Sequence, residues 1–393
     1  MKKERNYLID IVVIVLLACF VGMLSGGAAV LTIEAKKNDD SDSSDLSAVT
    51  DLYYEITNNY YTDVDSETLI EGALSGMLSV LDANSSYLDS SETTTFNNKM
   101  AGEYYGIGIE ALTLDDVGVL VVGVVDDSPA YEVGIEEGDI ITKLNDISLE
   151  DKTASYLISF INSVQTDIEL EINRDGEVLN FTLSAEKIII TSVTSNTFYK
   201  NQKTVGYIKI SIFAANTASQ FTNKLKDLEE SGIDALIIDV RDNAGGYLSQ
   251  AATILEMFMK EDTVLYQTKT KDSTSERKDL TAEYRDYPVI ILVNGSSASA
   301  SEVLAASFME NYSSYIVGET TYGKGTVQET VNVLDGSMVK ITTKEWLTPE
   351  GNSINGIGIT PTVEVEINDK YLLNPIFDND NQLSTALNLI VKE

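Results

Sequence analysis

Serines 296, 297, 299 and 301 lie within Asn294-Gly295-Ser296-Ser297-Ala298-Ser299-Ala300-Ser301-Glu302. The run Pro288-Val289-Ile290-Ile291-Leu292-Val293 comes directly before, and Val303, Leu304, Ala306, Ser307 and Phe308 come after. The first run reads as a buried strand, the second as a mostly apolar helical face. Small hydroxyl residues therefore stand where a strand turns into a helix. A serine there is held on a tight turn, beside backbone N–H groups with no intrahelical acceptor. Those amides suit a developing oxyanion, and the hydroxyl suits a nucleophile. A plain serine cap has the same local pattern. The distinguishing feature is Tyr322-Gly323-Lys324-Gly325-Thr326-Val327-Gln328, where a lysine stands between two glycines that let another backbone approach.

Composition narrows the chemistry. The 393 residues include no histidine, so neither a Ser-His-Asp triad nor a histidine metal site can form. The single cysteine, Cys19, lies in an apolar run near the N-terminus, which excludes a cysteine nucleophile and a structural disulfide. A serine hydrolase built from this chain needs a lysine or a carboxylate as base. An ordinary lysine, with a pKa of about 10.4, is protonated at pH 7 and must be desolvated to act. Lys324 has Tyr, Gly, Thr and Val as neighbours, which suits burial, whereas most other lysines lie in charged stretches. No cofactor or metal is required. A net charge of −35 argues against nucleic acid and against adhesion of a soluble face to anionic lipid.

The elements that must position these residues follow in order. Lys2, Lys3 and Arg5 precede an apolar stretch, and residues 8–31 are about long enough to cross a bilayer as a helix. The basic flank places the rest outside the cytoplasm. An uncleaved anchor is expected; a cleaved signal peptide, with its small residues at 25–29, and a lipid-modified Cys19 are the alternatives. Residues 35–45 read as a charged tether. Two amphipathic helices follow, one marked by Leu52, Ile56 and Tyr60, the other opened by Ser66-Glu67. The pairs Tyr53-Tyr54 and Tyr60-Tyr61 are expected in a core or a dimer contact. Leu81-Asp82-Ala83-Asn84-Ser85 is a turn.

From Gly106 short strands with turns take over. Strands are expected at 119–125 and from 138, helices at 128–133, ending before Gly134, and at 151–162, and a hairpin around Asp175-Gly176. Gly106, Ile107, Gly108 and Ile109, with Ser128-Pro129-Ala130, Gly134, Gly138-Asp139 and Asn145, resemble a PDZ domain over roughly residues 104–186. The resemblance implies that the Gly106–Ile109 loop captures a peptide's terminal carboxylate and that the peptide adds as a strand. Beyond residue 188, strands at 205–210 and 235–240 alternate with a helix capped by Thr217 and another bearing Leu248 to Phe258. Residues 270–286 read as a polar hairpin or loop, and 327–333 with 337–343 as a further hairpin. The stretches from Trp346 to Gly351 and from Gly356 to Pro361 read as ordered loops, and the tail ends in a helix around 383–391.

Three anchors together, Asp239-Val240-Arg241-Asp242-Asn243-Ala244-Gly245-Gly246, Ser297-Ala298-Ser299-Ala300-Ser301-Glu302 and Gly323-Lys324-Gly325-Thr326-Val327-Gln328, resemble the C-terminal processing peptidases, or tail-specific proteases. The resemblance runs from about residue 48 to the end. Local reading singles out Lys324 but not one serine among 296, 297, 299 and 301. The resemblance makes Ser299 the nucleophile, Lys324 the general base and Gln328 the residue that orients it. It places oxyanion donors at Ala300 and, in the glycine loop, at Gly245. It also implies an α/β fold: an N-terminal helical region, a PDZ domain and a crotonase- and Clp-protease-like catalytic domain. The partition is 1–34 cytoplasmic tip and anchor, 35–45 tether, 46–103 helical region, 104–186 PDZ domain, 187–365 peptidase domain and 366–393 helical tail. Implied partners are protein substrates bound through their C-terminal tails, the membrane, and a second copy in a homodimer. Two departures stand out: Ala244 where the family usually has proline, and Ala83-Asn84 where proline and histidine are common. The rival class is an inactive anchored scaffold whose PDZ domain holds peptide tails.

Overall fold

Continuous apolar runs and period-two runs dictate three main sheets. The computed structural model describes residues 43–164, 166–333 and 336–391. The chain divides into two units, Met1–Ile70 and Glu71–Glu393. The smaller contains the helix Ser43–Asn59 and the start of the helix Ser66–Leu78. There Tyr54, Tyr60 and Tyr61 are exposed, so the tyrosine pairs are not core residues. Each pair instead stacks edge-on within itself. Among the described residues no helix is long and apolar enough to cross a membrane; the expected anchor at residues 8–31 lies outside them.

In the larger unit a helix at Ser90–Ala101 comes before the first glycine pair. It has a reciprocal capping box, Asp89 with Glu92, which is the sequence pattern that marks its start. The five strands Ile109–Leu114, Gly118–Val124, Ile140–Leu144, Ile168–Arg174 and Glu177–Leu183 then pair in that order. Positive φ at Asp175 and Gly176 closes the expected hairpin. Ile109–Leu114 stands at an edge, and the helix Ala154–Ser163 packs near it, its first N–H donating to Thr113 Oγ1.

A second sheet runs Val193–Lys200, Lys203–Ile210, Ala235–Asp239, Val289–Val293, Tyr315–Gly318, Val363–Glu364. Its first pair is antiparallel and the rest are parallel. Ala235–Asp239 and Val289–Val293 are buried throughout, as their unbroken apolar runs require of a sheet covered on both faces. The helices Thr217–Glu230, Leu248–Leu255 and Ala300–Tyr312 share a core on one face; Leu383, Ala386 and Ile390 of the helix Asn381–Ile390 pack on the other. Asn216, not Thr217, stands at the N-cap position of the first of these helices, without a side-chain capping bond; the Thr217 hydroxyl ties the entry loop, accepting from Ala214 N–H and donating to the Ile212 carbonyl.

The third sheet joins Ser86–Leu88, Met338–Leu347, Val264–Lys269 and Thr274–Lys278, with Thr326–Asn332 alongside Met338–Leu347. Trp346 and Leu347, expected in a loop, complete the long strand because the buried indole needs a core position. The polar segment from 270 resolves into a hairpin strand, Thr274–Lys278, paired with Val264–Lys269.

Candidate active site

Three neighbouring parallel strands, Ala235–Asp239, Val289–Val293 and Tyr315–Gly318, lead at their carboxyl ends into the glycine loop, the serine turn and the lysine loop. Open α/β sheets present ligand crevices at those ends. Ser299 is the residue before the helix Ala300–Tyr312, with φ 54° and ψ −112°. That backbone is outside the regions a serine prefers, and a strained conformation of this kind costs about 1–3 kcal/mol. Of the four serines only Ser299 has positive φ. Ser297 and Ser301 are buried and donate their hydroxyls to Val240 and Asn243 carbonyls, both at 2.8 Å. The Ala300 N–H has no acceptor among the described residues.

The glycine loop is stitched to this turn through Asn243. The Asn243 carbonyl accepts the Ala298 N–H at 3.0 Å, and its buried side chain donates to the Ile210 carbonyl. Asn294 and Asp242 exchange two further bonds, at 3.0 and 2.8 Å. Gly245 has φ 103°, and a Cβ there would lie 2.9 Å from Ser299 Cβ and 3.2 Å from Ala300 N. Only glycine lets the two backbones come this close. The Gly245 N–H is itself given to Asn243 Oδ1 at 2.9 Å, while the Gly246 N–H has no acceptor among the described residues.

Glu302 joins the serine turn to the lysine loop. Its carboxylate is fully buried and accepts the Ser299 N–H at 2.8 Å, the Thr321 hydroxyl at 2.6 Å, the Gly323 N–H at 2.7 Å and the Lys324 N–H at 2.9 Å. The sequence reading passed over this residue, although Ser299-x-x-Glu302 has the spacing of a capping box. On the far side, a Cβ on Gly323 would meet Gly358 N at 2.8 Å, and one on Gly325 would meet Asn355 Cβ at 2.6 Å. The flanking glycines thus admit a second backbone segment, as their placement around Lys324 suggested. Trp346 Nε1 donates to the Lys324 carbonyl at 2.8 Å.

The Lys324 amine is half-buried and has no hydrogen-bond or ion-pair partner among the described residues. Burial pushes its proton affinity below that of an ordinary lysine, helped by the charge of Lys340 and opposed by Asp82 and Glu302. Gln328 does not bond to Lys324; its Nε2 donates to Thr326 Oγ1 and Thr342 Oγ1, both at 3.0 Å. An open cleft of about 320 Å³ adjoins these threonines and is also lined by Lys269, Lys271, Lys344 and Asn355.

In the small-strand domain Gly106 ends the strand Glu103–Gly106, which pairs with Glu186–Ile189. The Ile107 and Gly108 N–H groups have no acceptor among the described residues. The Ile107 side chain is buried in the domain core, so at this loop it offers only its backbone. Ile109 opens the edge strand.

A serine on a strained turn, a partly desolvated lysine and two tethered loops define a hydrolase site of the serine type. The chain belongs to peptidase family S41, the carboxy-terminal processing serine proteases, whose profile matches residues 204–365. A PDZ domain profile matches residues 105–185, and that of the activating protease CtpB N-terminal domain matches 22–93. The carboxy-terminal processing protease CtpB of Bacillus subtilis (strain 168) is 35% identical over 329 residues, which is 82% of this chain and 68% of that protein. Its CtpA is 31% identical over 386 residues, 97% of this chain and 81% of that one. Among solved structures, the photosystem II D1 C-terminal processing protease has 24% identity and a TM-score of 0.48, covering 81% of this chain and 86% of that chain.

Proposed function

We propose that the protein is a membrane-anchored endopeptidase, with its catalytic part outside the cytoplasm, that cleaves proteins by a Ser/Lys mechanism after its PDZ domain binds their C-terminal tails. The observation that carries this reading is the Glu302 carboxylate, which accepts the backbone N–H groups of both Ser299 and Lys324 and so ties nucleophile and base to one fixed point. The lowered proton affinity of Lys324 supports its role as base.

The reaction follows from these parts. A tail pairs with the edge strand Ile109–Leu114, its carboxylate on the Ile107 and Gly108 amides. The scissile carbonyl reaches Ser299. Neutral Lys324 takes the hydroxyl proton as Ser299 Oγ bonds to the carbonyl carbon. The Ala300 N–H and, because the expected donor Gly245 gives its N–H to Asn243 Oδ1, the neighbouring Gly246 N–H stabilise the oxyanion. Lys324 returns its proton to the leaving amine, and water then releases the acyl-enzyme. Gln328 orients Lys324. Two copies associate through the exposed apolar face of the N-terminal helix, which includes Leu46, Val49 and Leu52.

Digestion of casein by the wild type, Ser299→Ala and Lys324→Ala tests the mechanism. Both variants should lose cleavage, by roughly three orders of magnitude or more, while keeping the wild-type melting temperature or exceeding it. Normal cleavage by Lys324→Ala would remove lysine from the mechanism. Protease accessibility in intact cells tests the location.

A further inference from the structure

The turn at residues 82–85 is far from the lysine loop in sequence but touches it in space. Asn84 Nδ2 donates to Thr326 Oγ1 at 3.0 Å across 242 residues. Gln328 Nε2 donates to the same oxygen and to Thr342 Oγ1. The Thr342 N–H donates to Ser85 Oγ at 3.1 Å, and, against the opposing effect of burial, the Thr342 hydroxyl helps hold the Asp82 carboxyl below the usual carboxylate range. Asp82 Oδ1 folds the turn, accepting the Asn84 N–H at 2.7 Å and the Ser85 N–H at 3.1 Å. Strand Ser86–Leu88 then pairs with Met338–Leu347, which holds the turn in place.

The hydroxyls of two threonines, Thr326 tied to the turn through its Oγ1 and Thr342 through its N–H, therefore take both protons of the Gln328 amide. Its Oε1 has no donor among the described residues and is the one function of that amide left free. A base that must receive a serine proton needs an acceptor beside it, to fix the direction of its own N–H groups. We propose that the turn at residues 82–85 is a positioning element of the active site, which clamps Gln328 through Thr326 and Thr342 so that Oε1 orients Lys324. This proposal rests on the Ser299/Lys324 reading. Asp82 has a second effect through its charge. It favours the protonated form of Lys324, as does Glu302, while Lys340 and burial oppose them. The N-terminal region thereby reaches the base directly.

The test is steady-state cleavage of a short quenched-fluorescent peptide across pH. Asn84→Ala and Thr342→Val should each lower kcat about tenfold with KM nearly unchanged, and Thr342→Ser should restore it. Asp82→Asn, which keeps an acceptor but removes the charge, should move the acid limb of kcat/KM to lower pH. Wild-type kcat in Asn84→Ala and Thr342→Val, with the Asp82→Asn limb unmoved, would overturn the clamp. Should Asn84→Ala fail to fold, the Thr342→Val and Thr342→Ser pair decides. Ser299→Ala, run alongside, separates the two levels: if it cleaves, the mechanism itself is wrong; if it is dead while the clamp variants are fully active, only the clamp is wrong.

Discussion

Asp239 and Glu302 are both fully buried, yet they are satisfied in opposite ways. Asp239 meets a cation: Arg241 bonds it through Nε and Nη2 and reaches on to Asp380 and Gln382, while the Tyr207 hydroxyl adds a bond at 2.7 Å. Burial alone would weaken the hold of Arg241 on its proton, but the two aspartates outweigh it and push the affinity well above the usual value. Glu302 meets four neutral donors, three of them backbone N–H groups, and no cation pairs with it among the described residues. The first arrangement is electrostatically closed and fastens the start of the helix Asn381–Ile390 to the central sheet. The second leaves its charge uncancelled, so it acts on Lys324, and its geometry depends on two loops at once. Under the proposed mechanism, a buried carboxylate therefore belongs to stability in one place and to reactivity in the other.

Breaking each partner should separate these roles. Arg241→Met leaves Asp239 and Asp380 buried without their cation, and should cost about 3–5 kcal/mol in urea unfolding. At low temperature its kcat should stay within about twofold of the wild type, since no Arg241 bond reaches the serine turn or the lysine loop. Glu302→Gln turns part of the acceptor cage into donors facing donors. It should lower kcat about a hundredfold, by loosening both loops, and cost about 1–3 kcal/mol. If it lost stability alone and kept kcat, the contrast between the two carboxylates would fail.

Much of this architecture is legible in the amino-acid sequence. The unbroken apolar runs at 235–240 and 288–293 fix the doubly covered sheet, and the glycines around Lys324 announce a close backbone approach. Ser299-x-x-Glu302 has a legible capping-box spacing, but its burial and its reach to the lysine loop depend on the close approach of residues 321–324, which local spacing does not encode. The threonine bridge from Asn84 to Gln328 was not legible at all. It depends on register across the third sheet, where Ser86 meets Lys340 and Gln328 meets Thr342, and no local pattern encodes that pairing. The tyrosine pairs fail as core residues because their short helical region has, among the described residues, no second layer to cover Tyr54, Tyr60 and Tyr61, which leaves the dimer contact as the remaining expectation.

The serine turn offers a milder way to sharpen the comparison. Gly245→Ala puts a Cβ 2.8 Å from the Ala298 carbonyl oxygen at a φ of 103°, where alanine is strained. It should cost about 1–3 kcal/mol and reduce kcat more than KM, because the displaced atoms are those beside Ala300 N. Equal effects on a peptide's KM and kcat would place the glycine loop away from the reacting carbonyl.

The smallest effect is the most diagnostic of Lys324. Its folded proton affinity lies below the ordinary value, with burial as the main cause. Between that lowered pKa and the unfolded value near 10.5, the unfolded chain holds a proton that the folded chain lacks. Stability therefore rises with pH through that window, and the burial cost is fully present below it. Lys324→Met removes the charge and keeps the length. It should abolish cleavage, raise Tm by a few degrees at neutral pH, and flatten the rise of stability with alkali. In the wild type, kcat/KM should climb with pH through the same lowered pKa as the amine becomes neutral. A fall in Tm for Lys324→Met would mean that the ammonium gains more from Glu302 and Asp82 than it loses to burial. In that case the site would hold a charged lysine, and Glu302 would belong beside Asp239 as half of an ion pair.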